Sequence, residues 1–139
     1  MLEAAWRDIL DETSSETFVV LSAEQKIVHL GCGNLAEAAT YLDDTELCFV
    51  ATQVQPVHEN ETSVAKAGMD GGGKLPILII WTGPKCRGLV RARATILASN
   101  CISHLNKQCK GMKKVYCETK GDLNMRHIAK ELELDCDIR

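Results

Sequence analysis

Gly68 to Lys74 has the spacing GxxxxGK of a phosphate-cradling loop, in which backbone N–H groups wrap the phosphates and the lysine meets their charge. That chemistry needs a strand before the loop, a helix after it, and a Ser or Thr beside the lysine to hold magnesium. Here Leu75 follows and opens an apolar run. A flexible loop is therefore expected. Four histidines and seven cysteines could supply a nucleophile and a base, but their positions single out no pair. No CxxC pair is present, so no zinc site is expected, and no catalytic residue, metal ligand or cofactor site is assigned.

Gly31-Cys32-Gly33-Asn34-Leu35-Ala36 is the stronger enzyme signal. It fits GxGxxA between a strand and a helix, the spacing with which a tight turn brings backbone N–H groups to a dinucleotide or to S-adenosylmethionine. Such a site also wants an acidic residue at the end of the next strand to grip a ribose, whereas Leu47 to Val54 runs into Gln55-Pro56. A small enzyme binding S-adenosylmethionine or a nucleotide at Gly31, Cys32 and Gly33 is the alternative function.

Charge separates along the chain. Residues 1–73 carry three basic and thirteen acidic side chains, a balance of −10. Residues 74–117 carry nine cations, Lys74, Lys85, Arg87, Arg91, Arg93, Lys107, Lys110, Lys113 and Lys114, and no carboxylate. The remainder carries −2, giving the net −3. So long a stretch without acids implies an anionic partner. With aromatic residues at 4%, base stacking is poorly supplied and nucleic acid is not expected, whereas an anionic lipid headgroup of the phosphoinositide kind could use the same charges.

The elements that must position these groups follow from hydrophobic period. Leu2, Ala5, Trp6 and Ile9 predict an opening helix. Phe18 to Leu21 and Lys26 to Leu30 predict an antiparallel hairpin. Asn34 with Glu37 is placed as a capping box for a helix over Leu35 to Leu42. Leu47 to Val54 predicts a strand, then Pro56 to Gly73 a long loop. Leu75 to Trp81, nearly all aliphatic, predicts a central strand covered on both faces. Val90, Ala94, Leu97, Cys101 and Leu105 predict the longest helix, Lys114 to Cys117 a short strand, and Asp122 the cap of a final helix with Met125, Ile128, Ala129 and Leu132 on its buried side. The order αββαββαβα makes an α/β sheet flanked by helices on both faces. The 139 residues suit one domain with one core. The acidic N-terminus lacks a secretory h-region, and Cys48, Cys101 and Cys117 lie in apolar runs as free thiols would in a reducing cytoplasm.

Leu75-Pro76-Ile77-Leu78-Ile79-Ile80-Trp81-Thr82-Gly83, followed by Gly88-Leu89-Val90-Arg91-Ala92-Arg93-Ala94, resembles the actin-depolymerising-factor homology domains, and among them the coactosins. Leu47-Cys48-Phe49-Val50-Ala51 resembles the strand that precedes this stretch in the family. The resemblance implies a single domain over residues 1–139, an α+β fold with a mixed sheet of five or six strands, and no enzymatic activity. It further implies a cytoplasmic, cytoskeletal protein that binds actin filaments through the long helix. Arg91 and Arg93 stand at the family's paired basic positions, and Lys74 lies near its basic residue before the central strand. The actin-binding set expected on this basis is Lys74, Lys85, Arg87, Leu89, Arg91 and Arg93.

Arg91 and Arg93 are two positions apart, so at about 100° per residue they point to opposite sides of the helix. Leu89, Arg93, Ile96 and Asn100 share a face outside the buried stripe, although Ile96 could equally pack inward. Met1-Leu2-Glu3 has neither the basic character nor the regulatory serine of the depolymerising members, and the loop from Pro56 to Gly73 offers Lys66 against Glu59, Glu61 and Asp70. The expected partner is therefore the filament more than the monomer, bound by a monomeric domain.

Overall fold

The most apolar run of the sequence becomes an interior strand of the sheet, one in from its edge. A computed structural model describes residues 2–11, 13–54, 56–57, 75–109, 111–131 and 137–138. In chain order the elements are α1 (Leu2–Leu10), β1 (Phe18–Ser22), β2 (Ile27–Gly31), α2 (Leu35–Ala39), β3 (Leu47–Val54), β4 (Pro56–Val57), β5 (Leu75–Thr82), α3 (Gly88–Leu105), β6 (Lys113–Cys117), a 3-10 turn (Lys120–Asp122), α4 (Met125–Glu131) and β7 (Asp137–Ile138). The five-stranded sheet runs β2-β1-β3-β5-β6. Its neighbours are antiparallel except for the parallel pair β5 and β6, joined by the crossover through α3. Five strands is within the expected five or six.

Every residue of β5 is buried, as a strand with helices on both faces must be. The alternation of the pleat divides its side chains: Ile77, Ile79 and Trp81 join Val20, Val50 and Ile128 on one face, while Leu78 and Ile80 join Trp6, Phe49, Ala98 and Cys101 on the other. Each fully buried aliphatic side chain contributes about 1.5–3 kcal/mol relative to exposure. Ala94 and Ala98, small and buried, let the α3 backbone lie close to the sheet. Burial pushes the Cys101 and Cys117 thiols up to about 12, so both stay protonated and pack as small hydrophobes.

Three local expectations are corrected. α2 ends at Ala39 rather than Leu42, because Thr40 turns its hydroxyl back onto Glu37 O and the chain leaves the helix. Asn34 does cap it, its side chain accepting the Glu37 N–H at 3.2 Å. Asp122 does not cap the last helix: its carboxylate accepts the Glu118 and Thr119 N–H groups and closes the 3-10 turn, and Asn124 takes over, accepting the His127 N–H at 2.8 Å. The start of the expected loop, Pro56–Val57, forms a two-residue ladder with Asp137–Ile138. The GxxxxGK segment from Gly68 to Lys74 lies outside the described residues.

The hairpin turn fastens α1 to the far end of α3. Gln25 has a φ of 65°, left-handed for a side chain with a Cβ, and its Oε1 lies 2.9 Å from His104 Nδ1. The other ring nitrogen of His104 is 2.5 Å from Glu3 Oε1. That hydrogen bond, more than any other influence, pulls the Glu3 carboxyl from 4.5 down to about 2. A carboxyl depressed on folding stabilises the fold above its unfolded value and loses that contribution as it protonates. The margin of the wild-type protein over Glu3→Gln should therefore narrow in urea titrations as the pH falls from 4.5 toward about 2.

Candidate docking face at the head of the long helix

Of the cations singled out by charge, Lys85 and Arg87 lie in the turn that joins β5 to α3 and Arg91 and Arg93 in the first turns of the helix, whereas Lys107 follows the far end of α3 and Lys113 and Lys114 open β6; the turn itself is built by the Trp81-Thr82-Gly83 motif. Trp81 is fully buried, and its indole N–H donates to Asp43 O at 2.7 Å. The Lys85 N–H donates to Asp44 O at 2.9 Å. Between these two bonds the chain at Asp44 passes so close that a Cβ on Gly83 would lie 2.1 Å from Asp44 O. Gly83 O in turn accepts the Cys86 N–H at 2.9 Å. Lys85 and Arg87 are left exposed on the outside of this turn.

Arg87 occupies the N-cap of α3 with extended backbone and no side-chain hydrogen bond to the helix. The first turn of α3 holds no acidic residue. Cations at a helix N-terminus meet the positive end of its dipole, each at a cost of about 0.3–1 kcal/mol at the surface. A residue that accepts a hydrogen bond is what the cap favours. The helix head is thus composed against its own stability.

Beyond the cap the two arginines part. Arg93 is exposed and, among the described residues, forms no ion pair. Leu89 is 68% exposed and Ile96 is 65% exposed, so Ile96 belongs with Leu89 and Arg93 on the outer face rather than in the core. Arg91 turns the other way, toward Gly83, Cys86 and Glu118. Farther along, Lys114 of β6 donates to Ser99 Oγ at 3.1 Å and extends the cationic surface beside the helix. Lys74 lies outside the described residues. Lys85, Arg87, Leu89 and Arg93 are each exposed, along the β5–α3 turn and the first turns of α3, while Arg91 is drawn back onto the carbonyls of the turn. Sequence reasoning missed Glu118 and Asp44, whose partners are remote in the chain; the one available signal was the glycine of Trp-x-Gly, a residue type that permits close backbone approach.

The competing enzyme site is differently built. β2, which carries Gly31, is an edge strand antiparallel to its neighbour, and α2 behind it has five residues. The Gly33 N–H donates to Thr17 Oγ1 at 3.0 Å, and the Thr17 hydroxyl donates to Gly33 O at 2.8 Å. The peptide that would have to face a phosphate is already paired within the protein. Among the described residues no group of three His, Cys, Asp or Glu side chains could hold a metal ion.

Solved structures share this architecture. Human coactosin-like protein is 17% identical and superposes with a TM-score of 0.67, over 95% of this chain and 92% of its own. Coactosin from Entamoeba histolytica is 16% identical, with a TM-score of 0.63 over 94% and 90%. The chain has the actin-depolymerising-factor homology fold. Mouse coactosin, described as an actin filament binding protein, has the same fold at 17% identity and a TM-score of 0.59, over 94% of this chain and 84% of its own. No family model matches the chain, and no curated protein sequence matches it. In this homology fold the crossover helix is α3, so the cationic head lies on the element that links the sheet's one parallel pair. No helix among the described residues is long and apolar enough to cross a membrane.

Proposed function

We propose that this chain binds actin filaments, without catalysis, through the head and outer face of α3, with Lys85, Arg87, Leu89, Arg93 and Ile96 at the contact. The observation that carries the reading is the composition of that face: exposed cations and large apolar side chains on a helix N-terminus that pays for the cations in its own stability. Among the described residues, no ion pair to Lys85, Arg87 or Arg93 offsets the cost. An acidic protein surface does, since it is steered by the cations and buries Leu89 and Ile96 on arrival. The coactosins that share the fold support actin filaments as that acidic surface, one of them being described as an actin filament binding protein.

The filament is preferred to the monomer because the N-terminal residues Leu2 and Glu3 add no cation to the face, and Glu3 is committed to His104. Cosedimentation tests the proposal directly. The protein should pellet with filaments, progressively less as salt shortens the screening length, and should compete poorly for monomers. Failure to pellet at low salt would end the reading. If the protein instead floats with phosphoinositide vesicles, and actin does not displace it, the same cations serve a lipid headgroup.

A further inference from the structure

We propose that Arg91 is a positioning residue: it sets the head of α3, and thereby the display of Lys85, Arg87, Leu89 and Arg93, without itself meeting the partner. This rests on the filament reading above for its functional consequence, though not for its geometry.

The guanidinium spends all three of its nitrogens inside the protein. Nη2 donates to Gly83 O at 3.0 Å, Nε to Cys86 O at 3.4 Å, and Nη1 to Glu118 Oε1 at 3.4 Å. The Gly83 carbonyl is shared with the Cys86 N–H, so one side chain holds both ends of the turn that launches the helix. Glu118 is itself placed, because its N–H donates to Asp122 Oδ2 at 3.2 Å within the closed 3-10 turn that follows β6. Arg91 therefore spans from the β5–α3 turn to the end of β6. Its side chain is 35% exposed and that of Glu118 65%, so the ion pair alone is weak and the two carbonyl contacts fix the direction.

A guanidinium spreads five N–H donors over three nitrogens in a rigid plane and so reaches acceptors set apart from one another; an ammonium of the same charge gathers its three donors on one nitrogen and does not span the same positions. Conservative replacement thus separates a brace from a contact. Arg91→Lys should weaken filament binding about tenfold, the equivalent of one charge-assisted hydrogen bond, with the steepness of the salt dependence unchanged. Arg93→Lys should bind within about twofold of wild type, and Arg93→Ala should bind more weakly with a shallower salt dependence, as expected when a contact cation is removed.

Amide hydrogen exchange reads the brace without any partner. Arg91→Lys should speed exchange at Cys86 and at position 91 about tenfold, while amides of β3 and β5 keep their protection. Wild-type binding by Arg91→Lys would overturn the assignment, as would a salt dependence flattened by Arg91→Ala to the extent seen for Arg93→Ala. If the wild-type protein does not pellet with filaments, the filament reading falls and exchange alone judges the brace: unchanged exchange in Arg91→Lys overturns it.

Discussion

Gly83→Ala should lower the melting temperature by roughly 10 °C or more while its neighbour Gly88→Ala does not. At Gly83 the added methyl would stand 2.1 Å from Asp44 O, 2.3 Å from its carbonyl carbon and 2.7 Å from its Cα. All three are backbone atoms, so no side chain can swing aside. Relief requires the segment at Asp44 to retreat, which pulls at the Trp81 indole bond to Asp43 O and the Lys85 bond to Asp44 O. A forced backbone shift with loss of one buried hydrogen bond costs about 3 kcal/mol, and about 3–5 °C of melting temperature goes with each kcal/mol in a domain of this size. At Gly88 a methyl meets nothing within 4 Å and lies in the first helical turn, where alanine is favoured. Thermal denaturation of the two variants side by side provides the measurement. Equal melting temperatures would mean that the close approach at Gly83 is not rigid.

Arg87→Asp combined with Arg93→Glu should raise stability and remove filament binding together. Aspartate at the cap accepts a backbone N–H of the first turn, which Arg87 does not do, and it replaces a repelled charge with an attracted one. The gain is about 1 kcal/mol, or about 3–5 °C. Arg93 lies beyond the first turn and is exposed, so its reversal is nearly neutral for folding. Against an acidic partner surface, the two reversals together should reduce affinity by about thirtyfold or more, some 2 kcal/mol. Calorimetry and cosedimentation on one preparation read both effects. Opposite signs in stability and binding mark residues held for a partner; a variant that loses both would mark them as structural instead. Charge reversal at Arg91 behaves differently from this pair, because a carboxylate there would face the Gly83 and Cys86 carbonyls and Glu118. It should lower the melting temperature as well as the affinity.

What the chain order and residue pattern determined by themselves were the elements, the faces and the charge. Leu75 to Trp81 is apolar without alternation, which is compatible with a strand covered on both sides, and β5 is that strand. Of the repeat Val90, Ala94, Leu97, Cys101 and Leu105, the residues Ala94, Cys101 and Leu105 are buried on α3, and Val90 and Leu97 are partly buried beside them. Within the carboxylate-free residues 74–117, Lys85, Arg87 and Arg93 are exposed near the start of α3. These features are legible because helix and strand periods act between residues a few positions apart, so the information lies within each segment.

Only the tertiary structure decided which cation faces outward. Helical spacing sets Arg91 and Arg93 on opposite sides of the helix without saying what either meets; in the fold one is drawn to carbonyls at Gly83 and Cys86 and to Glu118 while the other is left exposed. The same holds for Gly33, whose turn looks open to a phosphate until Thr17 is seen to occupy it, and for Asp122, which closes one turn instead of capping the next helix. In each case a polar group takes whichever partner the assembled chain brings within about 3 Å. That partner is set by how sheet and helices pack, and no local period in the sequence records it.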